Sequence, residues 1–311
     1  MSVESCSAFL RVACNSPEVR QQLKAVTGTQ EIVKLGLRNG YDFGVRDLIA
    51  ASSSFPGGPR GGTGTGTGSG TEATTEAATG TTAFYHHEYR MTDIPGFESI
   101  IAELPRLKIK PPSVDLAEFA GRFRDDDLRS TSMSPADPEF RDWYENIMKA
   151  GRRDPALGAG APRRDFHLVN LDEHVEHPDY EQYFDAKFRT IAALEEFFGS
   201  EIRFSGSLWY PPSSYRLWHT NETQPGWRMY IVDFDAPFPD PGETSFFRYM
   251  NPETHEIVTL RESPQMVRFF KAEQDPGRLF WHCIVNPTTR HRWSFGFVVP
   301  DHWADAIQRR T

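Results

Sequence analysis

From Ile202 onward the chain alternates short apolar runs with polar breaks. The runs are IRFSGSLWY, RLWHT, WRMYIVDF, SFFRYM, EIVTL, MVRFF, RLFWHCIV and RWSFGFVV, separated by Pro, Gly, Asn and Asp. Runs of this length, rich in β-branched and aromatic residues and bounded by turn formers, predict strands. Eight of them in roughly a hundred residues predict a double-stranded β-helix, or jelly roll. Before them the apolar period is helical, in GFESIIAELPRL, DPEFRDWYENIMKAG and DYEQYFDAKFRTIAALEEFFG. In the last of these, Tyr183, Phe184, Phe188, Ile191, Leu194 and Phe198 are predicted to form one core-facing stripe. The pattern predicts an α+β body over residues 83–311, with a helical buttress (83–200) on one side of a β core (201–300).

Residues 1–51 carry shorter helical signals. Ser2 or Ser5 precedes Phe9, Leu10 and Val12; Ser16-Pro17-Glu18 reads as N-cap, N1 proline and first-turn acid; a third helix runs from Thr29 through Ile32, Val33, Leu35 and Leu37 with Gly40 as its C-terminal cap. Residues 52–82, SSSFPGGPRGGTGTGTGSGTEATTEAATGTT, hold almost nothing apolar and cannot offset the entropy of ordering, so this segment is expected to be a flexible linker. It reads as a tether or as the remnant of a peptide substrate. A chain of this length and composition spans on the order of 30 Å.

Composition narrows the partners. The 311-residue, 35.4 kDa chain is only 38% hydrophobic and contains 24 Gly and 23 Pro, in keeping with much loop. A net charge of −9 and a pI near 5.6, with no concentrated basic face, argue against nucleic acid. No run approaches the ~20 apolar residues of a membrane span, and the N-terminus lacks a basic region followed by an apolar core, so a cytoplasmic location is expected. Cys6, Cys14 and Cys283 are too few and scattered for a disulfide framework and read as reduced thiols.

The chemistry concentrates in WHTNETQPGWRMYIVDF and WHCIVNPTTRHRW. His219 and His282 each follow a tryptophan beside a strand signal, and imidazole suits Fe(II). The position two after His219, where a carboxylate ligand is expected, holds Asn221; Glu222 is out of register and Asp233 lies at the far end of the strand. Arg228 and Tyr230 share one face of WRMYIVDF by alternation, and Arg292 opens the last strand. A buried arginine needs an anion, which a dicarboxylate supplies through a bidentate fork. Arg228 bridging to Asp233 or Asp235 is the alternative. His86 and His87 are adjacent in a strand, so they face opposite ways and read as structural; His255 falls in a hairpin turn and Cys283 points away from the face of His282.

YPPSSYRLWH, the arginine nine residues after His219 and the arginine ten after His282 together resemble the aspartyl/asparaginyl β-hydroxylase family of 2-oxoglutarate- and Fe(II)-dependent oxygenases, over about residues 200 to 300. The resemblance implies His219 and His282 as iron ligands, with water in place of an acidic third ligand. It implies Arg292 on the distal carboxylate of 2-oxoglutarate, Arg228 on the proximal carboxylate or the substrate, and Tyr230 as a further polar contact. The family's serine aligns near Leu208, which leaves Ser207 or Ser205 to hold the distal carboxylate. FL near the start, NSPEVRQQLKAV, EIVKLGLRNGYDF and VRDLIAA resemble in turn the Nif11-like leader domain, recognised by enzymes that modify ribosomal peptides; Gly57-Gly58 and Gly61-Gly62 resemble the double-glycine end of such leaders. Together they imply a dioxygenase using Fe(II), 2-oxoglutarate and O2 to hydroxylate a peptide, at Asp or Asn, with a Nif11-type precursor as substrate in cis or in trans. The alternatives are a non-catalytic leader-bearing precursor or binding protein, and a halogenase with halide in the empty carboxylate position.

Overall fold

The computed structural model describes residues 29–44, 85–153 and 164–310 apart from positions 175 and 241, together with scattered positions before residue 29 and residues 47–48. The chain divides into two compact units, residues 1–84 and 85–311. The predicted linker, residues 52–82, lies outside the described residues.

In the first unit, helix α1 (Thr29–Arg38) ends where the pattern places its stop: Gly40 takes φ +84°, and Tyr41 N–H returns to the Gly36 carbonyl at 2.9 Å. The turn carries the aromatic residues of GYDF back onto Phe9, whose ring centroid lies 5.8 Å from Tyr41 and 5.4 Å from Phe43. Cys6, Phe9, Ala13 and Val19, described residues of the first two predicted helices, are helical and buried, as are Ile32 and Leu35 of α1.

The second unit opens with strand β1 (His86–Arg90), followed by helices α2 (Glu98–Leu107), α3 (Leu116–Gly121), α4 (Asp125–Ser130) and α5 (Pro138–Arg153). Two short strands, β2 (Phe166–His167) and β3 (Val169–Asn170), lead to the long helix α6 (Tyr180–Phe198). The eight predicted runs then appear as β4 (Arg203–Tyr210), β5 (Ser214–His219), β6 (Gly226–Phe234), β7 (Phe246–Met250), β8 (Ile257–Arg261), β9 (Met266–Ala272), β10 (His282–Asn286) and β11 (Arg292–Val298). Helix α7 (Trp303–Gln308) closes the unit.

The strands form a six-stranded sheet, β1-β9-β6-β11-β4-β3, and a five-stranded sheet, β2-β5-β10-β7-β8, with antiparallel pairing throughout. From β4 to β11 the chain passes back and forth between the sheets, remaining in one only for the β7–β8 hairpin. That alternation is the double-stranded β-helix, and it turns one face of each sheet toward a shared interior.

The outward faces explain the helices. Trp209 and Trp293 stack on the outer side of the six-stranded sheet, where Trp293 Nε1 donates to the Ile109 carbonyl at 3.0 Å and Lys187 Nζ of α6 sits 3.8 Å over the Phe204 ring. Tyr215, Leu217 and Trp218 are equally apolar on the outer side of the other sheet; Phe123 and Leu128 cover the first two, and Trp218 Nε1 donates to the Ser130 carbonyl at 3.0 Å. The buttress is therefore two-sided, not one-sided as the order of elements suggests, because both sheets present aromatic outer faces that water would otherwise cover. The stripe on α6 also shifts: Tyr183, Phe184, Ala186, Thr190, Leu194 and Phe198 are buried, while Phe188 is 43% exposed.

Candidate active site

His219 ends β5 and His282 begins β10, and the two are register partners across those strands. Their ring centroids are 4.0 Å apart. In each ring Nδ1 lies against the carbonyl two residues earlier, Leu217 O at 2.8 Å and Phe280 O at 2.9 Å. A carbonyl only accepts, so Nδ1 carries the proton and the lone pair is at Nε2 in both rings. His282 is 2% exposed, and burial, reinforced by Arg216 and Arg268, pushes its pKa down to about 3. It is thus neutral at pH 7, the form that ligates a metal.

Two imidazoles whose Nδ1 atoms are held by the backbone, leaving Nε2 as the ligating nitrogen, are a donor set that fits Fe(II). No third anionic donor joins them: among the described residues, no group of three or more His, Cys, Asp or Glu is placed to hold a metal ion. Asn221 is half-buried, with its Nδ2 buried and making no hydrogen bond. Glu222 is exposed, and Asp233 is bound to Lys108 Nζ at 2.6 Å. Cys283 packs outward with Phe140 and Trp218, and His255 sits exposed at φ +58° in the β7–β8 turn.

From His282 a narrow cavity of about 20 Å³ runs between the sheets, lined among others by Tyr210, Arg216, Tyr230, Arg268, Arg292 and Ser294. Register explains the grouping. Gly296, Tyr230, Arg268 and Glu88 are neighbours across β11, β6, β9 and β1, so one interior row carries them; Arg228, Phe270 and His86 form the next row across β6, β9 and β1. Phe270 contacts the His282 ring at 4.7 Å, which puts this second row at the level of the histidines. Gly296 has no alternative: a Cβ there would stand 2.6 Å from Ser205 Oγ and 2.7 Å from Tyr230 Cε1.

At the base of the cavity is an acid that the sequence reading did not single out. Glu262 is 2% exposed, takes Arg292 Nε and Nη2 at 2.6 and 2.7 Å and Arg268 Nη2 at 2.8 Å, and accepts from Ser245 Oγ at 2.6 Å. Burial raises its pKa, but Arg292 and Arg268 outweigh this and hold the carboxyl at about 2. Arg292 thus does meet a carboxylate through a bidentate fork, and that carboxylate belongs to the chain itself.

The other expected residues divide. Tyr230 and Arg292 line the cavity. Arg228 does not line it; buried at 2% exposure, it reaches Gln224 through its carbonyl and its Oε1, with Nε and Nη1 left without hydrogen-bond partners. No ion pair joins it to Asp233 or Asp235, which hold Lys108 and Lys110. Ser207 is buried on the other face of β4 from Leu208 and Tyr210, toward Tyr183, so alternation keeps it out of the cavity. Ser294, two residues after Arg292, lines the cavity where Ser207 was expected to. His86 and His87 do face opposite ways: His87 packs on Trp303 at 5.1 Å, while His86 enters the interior, stacked on Phe247 at 5.2 Å and Tyr249 at 5.5 Å. Arg216, Arg268, Tyr210 and Ser294 were findable as inward positions of apolar runs. Glu262 was not, since it lies in the β8–β9 connection outside any strand period.

Residues 1–48 match the Nif11 domain family. No curated protein matches the chain. Among solved structures, the body is similar to a Pseudomonas putida prolyl-4-hydroxylase, at 14% identity over 56% of this chain and 96% of that one with TM-score 0.28. It is similar to AviO1 from Streptomyces viridochromogenes Tue57, at 12% identity over 54% and 88% with TM-score 0.29. A third is an oxidoreductase of the 2OG-Fe(II) oxygenase family from Burkholderia pseudomallei, at 13% identity over 61% and 94% with TM-score 0.29. No helix among the described residues is long and apolar enough to cross a membrane.

Proposed function

We propose that residues 85–311 are a 2-oxoglutarate- and Fe(II)-dependent oxygenase that hydroxylates a peptide, with the Nif11 domain marking a ribosomally made precursor as its context. The observation that carries this reading is the joint placement, inside one barrel, of two backbone-locked histidines and an arginine-lined cavity that begins at one of them. His219 and His282 would hold the metal through Nε2. Bound there, Fe(II) would supply O2 activation coupled to decarboxylation of the 2-oxo acid.

The chain's own groups orient the reactants. Arg292 and its neighbours hold the carboxylate far from the metal. Tyr230, kept in place by the absence of a side chain at Gly296, walls the cavity. Arg228 holds two unpartnered buried N–H groups at the level of the histidines, suited to a carboxylate or carboxamide, and this favours an Asp or Asn side chain as the target. Phe247, Phe270 and Phe280 crowd His282 and exclude water from that end.

The test is anaerobic addition of Fe(II) and 2-oxoglutarate to the whole chain, then O2. A weak visible charge-transfer band, succinate, and a gain of one oxygen on the chain itself or on a Nif11-type peptide are expected. Absence of both band and succinate overturns the reading. A non-catalytic binding protein is the second reading, favoured by Glu262 already occupying the Arg292 fork. A chlorinated product in chloride buffer would instead indicate a halogenase, with halide near Asn221.

A further inference from the structure

Arginine presents two faces to an acid, the Nε/Nη2 side and the Nη1/Nη2 end. Glu262 takes the side of Arg292, through Nε at 2.6 Å and Nη2 at 2.7 Å, and bridges to Arg268 Nη2 at 2.8 Å. What remains is Nη1 on Arg292, whose guanidinium has the Tyr210 side chain beside it, and Nε and Nη1 on Arg268; all three nitrogens are buried and outside hydrogen-bonding geometry with any partner. Both arginines are 1% exposed and both line the cavity. Orphaned charged donors in an interior are costly, and three of them around one cavity amount to a receptor awaiting an anion.

Two carboxylates stand beside this pair of arginines: Glu262, and Glu88 at 3.1 Å from Arg268 Nη2. Neither satisfies Nη1 of Arg292 or Nε and Nη1 of Arg268, so the acids hold the cluster without completing it.

We infer that Arg268 is a second guanidinium of this site, gripping the far carboxylate of a dicarboxylic ligand together with Arg292, and that Glu262 is the positioning residue that bridges and aims both. This rests on the reading of the cavity as a 2-oxo acid site and goes beyond it, since the resemblance supplies Arg292 alone. Phe247, 4.1 Å beneath the Arg268 guanidinium, fixes the plane from the other side.

The test is calorimetric titration of the Mn(II)-loaded full chain, without O2, using 2-oxoglutarate and 2-oxopentanoate. The second ligand has the same carbon chain with a methyl group where the far carboxylate stands. Wild type should prefer 2-oxoglutarate. Arg268→Met and Glu262→Gln should each weaken 2-oxoglutarate by about tenfold or more, and leave 2-oxopentanoate within roughly twofold; Arg268→Lys should recover part of the loss. Equal weakening of both ligands would mean a merely structural role, and unchanged 2-oxoglutarate affinity in Arg268→Met would mean no contact; either overturns the inference alone. If Glu262→Gln does not fold, Arg268→Met decides. Wild type that binds neither ligand overturns this inference and the proposed function together.

Discussion

At the His219–His282 end of the cavity the functional side chains are imidazoles, each fixed by the main-chain carbonyl two residues before it. At the other end Arg268 and Arg292 are charged and are fixed by a side chain from another segment, Glu262. The first end inherits its geometry from strand register, so each histidine is held independently of what binds. The second end is a buried ion cluster, in which each member's desolvation is tolerable only while its partners remain. One end can therefore lose its ligand chemistry at little cost to the fold, and the other only at a larger cost in stability.

The strongest way to break this contrast is Glu262→Ala. Removing the acid strands two buried cations, at a cost of about 3–5 kcal/mol, or a fall in melting temperature on the order of 10 °C for a body of this size. A melting temperature within a few degrees of wild type would show that the two ends are alike. Acid should mimic the substitution. The folded-state pKa of Glu262, about 2, lies below its ordinary 4.5, so its stabilisation is fully present above pH 4.5 and is lost as pH falls toward 2. The stability advantage of wild type over Glu262→Gln, about 3 kcal/mol by this shift, should shrink over that window in denaturant titrations at stepped pH.

His282→Ala tests the opposite end. It should lower Mn(II) affinity by roughly a hundredfold, as for loss of one ligand of a small set, while the melting temperature moves much less than in Glu262→Ala. Gly296→Ala lies between the ends: the new Cβ must displace Tyr230 or Ser205, costing about 1–3 kcal/mol and weakening 2-oxoglutarate binding with Mn(II) affinity retained. The smallest effect expected is in Asn221→Asp, where a carboxylate two residues after His219 should tighten Mn(II) binding by less than His282→Ala loosens it. No gain there would place the Asn221 side chain out of reach of the metal.

The two ends also differed in how far they could be read from residues. His282, Arg292 and Tyr230 sit in strand runs whose period of two puts them inward, whereas His219, three residues after the inward Arg216, reaches the same side only through the register shift of β5 against β10. The same period, applied to β4, predicts that Ser207 and Leu208 face opposite ways, and the structure gives the cavity to Leu208. Arg228 faces inward as alternation requires, yet ends at the Gln224 loop and not in the cavity, because distance along the strand sets which level a residue reaches. Glu262 had no local signal: its meaning depends on Arg292, thirty residues away, and on Arg268 across the cluster. The one-sided buttress failed for a related reason, since apolar outer faces on both sheets became visible only once the strands had been sorted between them.

Local chemistry in the chain was enough to determine eight strands after the helices, a small helical unit ahead of a Gly/Thr-rich segment, and a pair of histidines and arginines at matched positions, because period, turn residues and spacing are properties of neighbouring residues. Only the tertiary structure decided that the histidines meet at 4.0 Å, that Ser294 and not Ser207 lines the cavity, and that Arg292 leans on a buried acid. Those outcomes depend on which strands pair and on charge compensation between distant segments, and pairing and compensation exist only in the folded chain.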